Sequence, residues 1–117
     1  MNYRIWLGVA VVTTLPAVAA CSYSSADLRA KEPVFSGSTR KPLPDYAGCV
    51  QEGWLGLGIS AINYIPKGAG VSLSVNGIAG SDLLLDSQPT NDGSRVLIFS
   101  RLPYGYDSAV AEAKKCL

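Results

Sequence analysis

The chain contains no histidine, so the side chain that most often carries proton-transfer chemistry near neutral pH is missing. Its three cysteines include no C-x-x-C pair, and without histidine there is no Cys/His set with zinc-ligand spacing. One-sided charge is lacking too. Ten Lys and Arg stand against nine Asp and Glu, a net charge of +1. Such a balance gives no electrostatic reason to expect nucleic acid or another polyanion as partner. Long apolar runs are also absent. The uncharged stretch Ile5–Ala20 is sixteen residues and contains Pro16, short of the ~20 apolar residues of a spanning helix.

What the chain does have is a processed-looking beginning. A short basic start, Met1-Asn2-Tyr3-Arg4, precedes the eleven-residue apolar run Ile5–Leu15. Pro16 breaks it, and small residues then lead to Cys21. That is the layout of a secretory signal, covering residues 1–20. Ala17-Val18-Ala19 also fits an ordinary signal peptidase, which would leave Cys21 a free thiol. Val18-Ala19-Ala20-Cys21 resembles the lipobox of bacterial lipoproteins. That resemblance implies cleavage before Cys21, a diacylglycerol on its sulfur and usually an acyl chain on the new amino group. Two or three acyl chains anchor stably where one binds marginally. Ser22, in place of Asp, resembles the enterobacterial type sorted to the outer membrane, which implies a lipid-anchored protein on its periplasmic face.

An odd number of cysteines is awkward for an exported chain. Acylation of Cys21 removes one and leaves Cys49 and Cys116, which can pair. The other reading keeps both as buried thiols. Processing would leave 97 residues, Cys21–Leu117, with nine bases against nine acids and room for one small domain.

Residues 21–44 read as the acylated cysteine and a mobile tether, rich in Ser, Pro and charge, with Val34-Phe35 the only large apolar pair. The competing view is that Val34 and Phe35 dock on the domain or add a strand to its edge. Residues 45–117 read as the folded domain. Pro44-Asp45 looks like a helix start, after which Tyr46, Cys49, Val50 and Trp54 share one face. Leu55-Gly56-Leu57-Gly58-Ile59 alternates and suggests an extended entry into a strand at Ile62–Ile65. Val71, Leu73 and Val75 alternate with Ser72 and Ser74, and Asn76-Gly77 marks a turn. Leu83-Leu84-Leu85 forms a short third strand, Gln88–Gly93 a polar turn, and Arg95–Arg101 a fourth strand. Asp107 caps a last helix with Lys114 and Lys115 in its final turn. The expected class is α+β: a short helix, a four-stranded antiparallel meander and a C-terminal helix, both helices on one sheet face. The order Cys49-Val50, Gly53-Trp54 and Ala109-Val110…Lys115-Cys116-Leu117 resembles small exported lipoproteins and supports that fold without implying an activity.

Chemistry is sparse. Gly56-Leu57-Gly58-Ile59-Ser60-Ala61 spells G-x-G-x-x-A but lacks the strand–helix context of a dinucleotide site. Asp82 and Asp86 flank Leu83-Leu84-Leu85 as solvated ends, and no serine stands out as partner for a lysine. Asp86 with Asn91-Asp92-Gly93 falls short of a calcium loop. Neither a catalytic set, a metal site nor a cofactor is expected. Trp54, Tyr64, Tyr104 and Tyr106 are the candidate partner surface, set against the plainer reading that most of them pack the core. The expected role is non-enzymatic, a binding or structural module of the envelope for a protein or cell-wall partner. The alternative is an inhibitor or exclusion factor against an incoming enzyme or phage protein.

Overall fold

Alternation governs the sheet. In Val71-Ser72-Leu73-Ser74-Val75 the three apolar residues point one way, and pairing carries the same polarity across the neighbouring strands. A computed structural model describes Gly8 and residues 24–117. The lipobox, Cys21 and Ser22 lie outside the described residues. The elements are α1 (Ser25–Arg29), β1 (Phe35–Thr39), α2 (Leu43–Gly56), β2 (Ile62–Lys67), β3 (Gly70–Gly77), β4 (Gly80–Thr90), β5 (Gly93–Ser100) and α3 (Asp107–Lys115). The fold is α+β, a five-stranded antiparallel sheet in the order β1-β5-β4-β3-β2. β2 to β5 form the expected meander. The fifth strand, β1, extends it at β5.

One sheet face carries Val71, Leu73, Val75, Leu83, Leu85, Val96 and Ile98, all under the two long helices. α2 contributes Leu43, Tyr46, Ala47, Val50 and Trp54, and α3 contributes Ala109 and Ala113. Burying each such Val, Leu or Ile side chain is worth about 1.5–3 kcal/mol. The two helices run antiparallel and are joined three times. Tyr46 Oη donates to the Ala113 carbonyl at 3.0 Å and Trp54 Nε1 to the Ala109 carbonyl at 2.9 Å. The third link is the disulfide from Cys49, between Tyr46 and Trp54 on α2, to Cys116 at the end of α3, with Cα atoms 5.8 Å apart and a separation of 67 residues.

The stretch 24–44 is not a free tether. Ser24 caps α1 through a reciprocal capping box with Asp27. Leu28 is fully buried against Leu84 and Phe99 on the sheet face opposite the long helices. β1 then pairs along its whole length with β5, from Phe35 opposite Ile98 to Thr39 opposite Ser94. Phe35 packs on the main core, and the Lys114 ammonium lies 5.2 Å from its ring centroid. Edge pairing and one buried leucine are what order a segment whose composition looks disordered.

The local boundaries also differ from the sequence reading. α2 begins at Leu43 with Pro44 inside its first turn, so Asp45 serves the helix dipole and caps nothing. The Leu55–Ile59 alternation is no strand. It is the helix end: Gly58 takes φ +86°, its N–H bonds to the Leu55 carbonyl, and Ile59 N–H bonds to the Trp54 carbonyl. That double closure is the Schellman arrangement, for which glycine is favoured. The supposed polar turn at Gln88–Gly93 is mostly strand, with the turn reduced to Asn91-Asp92 between paired Thr90 and Gly93. Pro89 is tolerated because β3 pairs only as far as Ser87, so no ladder bond is lost on that side. The β3–β4 turn is Ile78-Ala79, two residues beyond Asn76-Gly77.

Candidate functional surfaces

The four aromatic candidates do not form one patch. Trp54 is fully buried, with its indole N–H satisfied by Ala109. It is a core residue, and the indole's size and buried partner explain why. Tyr106 is half-buried, and its hydroxyl donates to Asp82 Oδ2 at 3.1 Å. Burial first, then that bond to a carboxylate, pushes its pKa above the ordinary tyrosine value. Tyr64 and Tyr104 are exposed, 45% and 68%, but they line different clefts.

The first cleft, about 330 Å³, is lined by Val34, Leu102, Pro103, Tyr104, Tyr106, Val110 and Lys114 among others. It lies where β5 hands over to α3. The second, about 660 Å³, opens at the other end of the sheet beside the start of α2. Pro42, Pro44, Pro66 and Pro89 surround it with Tyr64 and Val71. Leu57, Ile59, Gly105, Tyr106, Ser108 and Ala109 line a third, of about 230 Å³, which adjoins the first through Tyr106.

Asp82 and Asp86 are not solvated ends. Asp86 accepts from Arg29 Nε and Nη2 at 2.8 and 2.9 Å and from Ser72 Oγ at 2.6 Å. Arg29 also donates to Ser72 Oγ at 3.2 Å, closing a three-residue cluster that holds α1 to β3 and β4. Burial pushes the Asp86 pKa up, but the bonds from Arg29 and Ser72 and the nearby cationic charge outweigh it, leaving the carboxyl below its ordinary value. The same bond to Asp86 raises Arg29 further. Asp82 pairs with Arg101 Nε at 2.8 Å. Both carboxylates are therefore used by cations 57 and 19 residues away in the chain.

Serine hydroxyls in the sheet are engaged as well. Ser87 donates to the Val71 carbonyl, Ser94 to Lys41 and Ser100 to Leu102. Ser74 and Ser81 both donate to the Asn76 side-chain oxygen. Every buried side-chain nitrogen and oxygen among the described residues has a partner. Among those residues no group of three His, Cys, Asp or Glu is placed to hold a metal. The Tyr46 phenol is pushed up to about 12 by burial between α2 and α3.

The feature that sequence reasoning missed is the Arg29–Asp86–Ser72 cluster. Asp86 is in view only as a solvated strand end and Ser72 only as a polar position of β3, and nothing in the sequence ties either to Arg29. No family model, curated protein or solved structure matches the chain.

Proposed function

We propose that the chain is a lipid-anchored module of the bacterial envelope that acts by binding, without chemistry of its own. The observation that carries this reading is the division of the cysteines. Cys49 and Cys116 are bonded to each other, which leaves Cys21, the last residue of the lipobox-like quartet, as the remaining cysteine. A disulfide closing most of the domain belongs in an oxidising compartment, in keeping with an exported chain. Acylation at Cys21 would tie that domain to a membrane, and Ser22 favours the periplasmic face of the outer membrane. The engaged serines and paired carboxylates suit a rigid binding surface better than a reactive centre.

Radiolabelled palmitate added to cells making the wild-type or Cys21→Ser chain tests the anchor. Label in the wild type alone is expected, and equal labelling of both overturns the reading. Crosslinking in intact cells followed by affinity recovery tests the binding role. An envelope protein or cell-wall fragment recovered in defined ratio is expected, and recovery of neither contradicts it.

A further inference from the structure

We infer that one end of the sheet, rimmed by exposed apolar side chains, rests on the lipid surface to which Cys21 is anchored. The inference builds on the lipid anchor proposed above and adds an orientation to it. Only three Cα-to-Cα steps separate Cys21 from Ser24, the cap of α1, a reach of at most about 11 Å. α1 is fixed to the sheet by Leu28 and by Arg29, so an anchor at Cys21 holds the whole domain at the bilayer.

The strand directions say which part of the domain meets it. β1 and β2 begin, and β3 and β5 finish, at the end that also receives the last turn of α2 and the first turn of α3. Among the described residues, six of the nine exposed large hydrophobics are there: Val34, Leu55, Leu57, Ile78, Leu102 and Tyr104. Scattered apolar exposure is ordinary, but this clustering at one end is not. Ile78 is the sharpest case, wholly exposed at the tip of the β3–β4 turn, where Gly, Asn, Asp or Ser is usual. The opposite end exposes Arg40, Lys41, Lys67 and Asp92, while the apolar end carries Lys31, Glu32 and Asp107 at its rim. The exit of α1 lies at the apolar end, with Leu28 on Phe99, next to last in β5, and Lys31 Nζ donating to the Arg101 carbonyl at 2.6 Å, while Arg29 reaches the middle of the sheet at Asp86. The outer sheet face beside α1 is also within the anchor's reach, but around its one exposed large apolar residue, Ile65, it presents Asn63, Lys67, Gln88 and Arg95, groups that lose hydration in lipid.

The occupant is therefore a phospholipid surface. The proline-lined cleft at the other end is left facing away from the membrane, open to a soluble partner.

The test supplies the anchor chemically. With Cys49 and Cys116 bonded, Cys21 of the chain 21–117 is its one free thiol and couples to a maleimide-headgroup lipid in phosphatidylcholine nanodiscs. Gadolinium-bearing headgroups then broaden amide signals by proximity. Several-fold stronger broadening is expected at residues 55–59, 77–79 and 101–105 than at 67–70 and 90–93, and Leu57→Asp with Ile78→Asp should abolish the difference. Broadening centred on Asn63, Gln88 and Arg95, at the opposite end, or evenly spread overturns the orientation. Since the coupling does not depend on cellular acylation, this result stands apart from the palmitate result, which judges the anchor alone.

Discussion

Replacing both Cys49 and Cys116 by alanine should lower the thermal midpoint steeply while leaving the native arrangement in place. The bridge spans 67 residues, and confining that much chain in the unfolded state is worth about 4 kcal/mol in the loop-entropy account. A domain of this size shifts by about 4–8 °C per kcal/mol, so a fall of about 20 °C is expected. Alanine is the better replacement because Cys116 is buried, and serine would add a hydroxyl needing a partner. The helices should stay docked, since Tyr46–Ala113 and Trp54–Ala109 hold them together independently of the bridge. Circular dichroism melting of the chain 21–117 reads the midpoint. Urea titration adds a second signature: an unlinked unfolded chain exposes more surface, so the slope with denaturant should rise. A midpoint within a few degrees of wild type would refute the reasoning. An unchanged slope with a large fall would move the effect from the unfolded chain to lost native contacts.

Asp86→Asn should cost about 1.5–3 kcal/mol, the range for bonds to charged groups, and should raise amide exchange in α1 and β1 ahead of the rest of the domain. The Asp86 pKa is lowered by folding, so its contribution is fully present above the unfolded value of about 3.9 and is lost as pH falls through the lower folded value. The stability gap between wild type and Asp86→Asn should thus be constant near neutrality and shrink below about pH 4, as read by urea titrations across pH. Gly93→Ala should destabilise by about 2 kcal/mol or more, because Gly93 has φ +155° and an added Cβ would strike the Thr39 carbonyl and the Arg40 backbone. Gly48→Ala should do the reverse, adding about 0.5–1 kcal/mol, since it lies within α2 with open space at its Cβ. Thermal melting separates the two.

Strong, repeated patterns were legible in the sequence. β3 and β5 follow from alternation and apolar density, and α3 from Ala109, Ala113 and Cys116 on one face with lysines at its end. The coarse class followed from those. What was hidden depended on distant partners. β1 offers only Phe35, Gly37 and Thr39 to the inner face, and Gly37 lies beneath the Phe35 ring, so little hydrophobic signal marks it. Its order comes from β5, about sixty positions later. α1 is five residues with a single buried leucine, too short for any period to emerge. The Leu-Gly alternation at 55–59 misled because the two glycines imitate a strand's polar positions, when Gly58 is the left-handed residue that ends a helix. Trp54 was correctly placed on a helix face with Tyr46, Cys49 and Val50. That same spacing already argued for the core and against a partner surface. The cluster at Arg29, Ser72 and Asp86 joins three elements, and no local pattern marks such a set.

Mass spectrometry of the amino-terminal peptide from membrane-purified protein tests the central claim most directly. A chain beginning at Cys21, carrying a diacylglyceryl thioether and bonded internally between Cys49 and Cys116, is the predicted result. An unmodified chain beginning at any other residue, or at an unacylated Cys21, would contradict it.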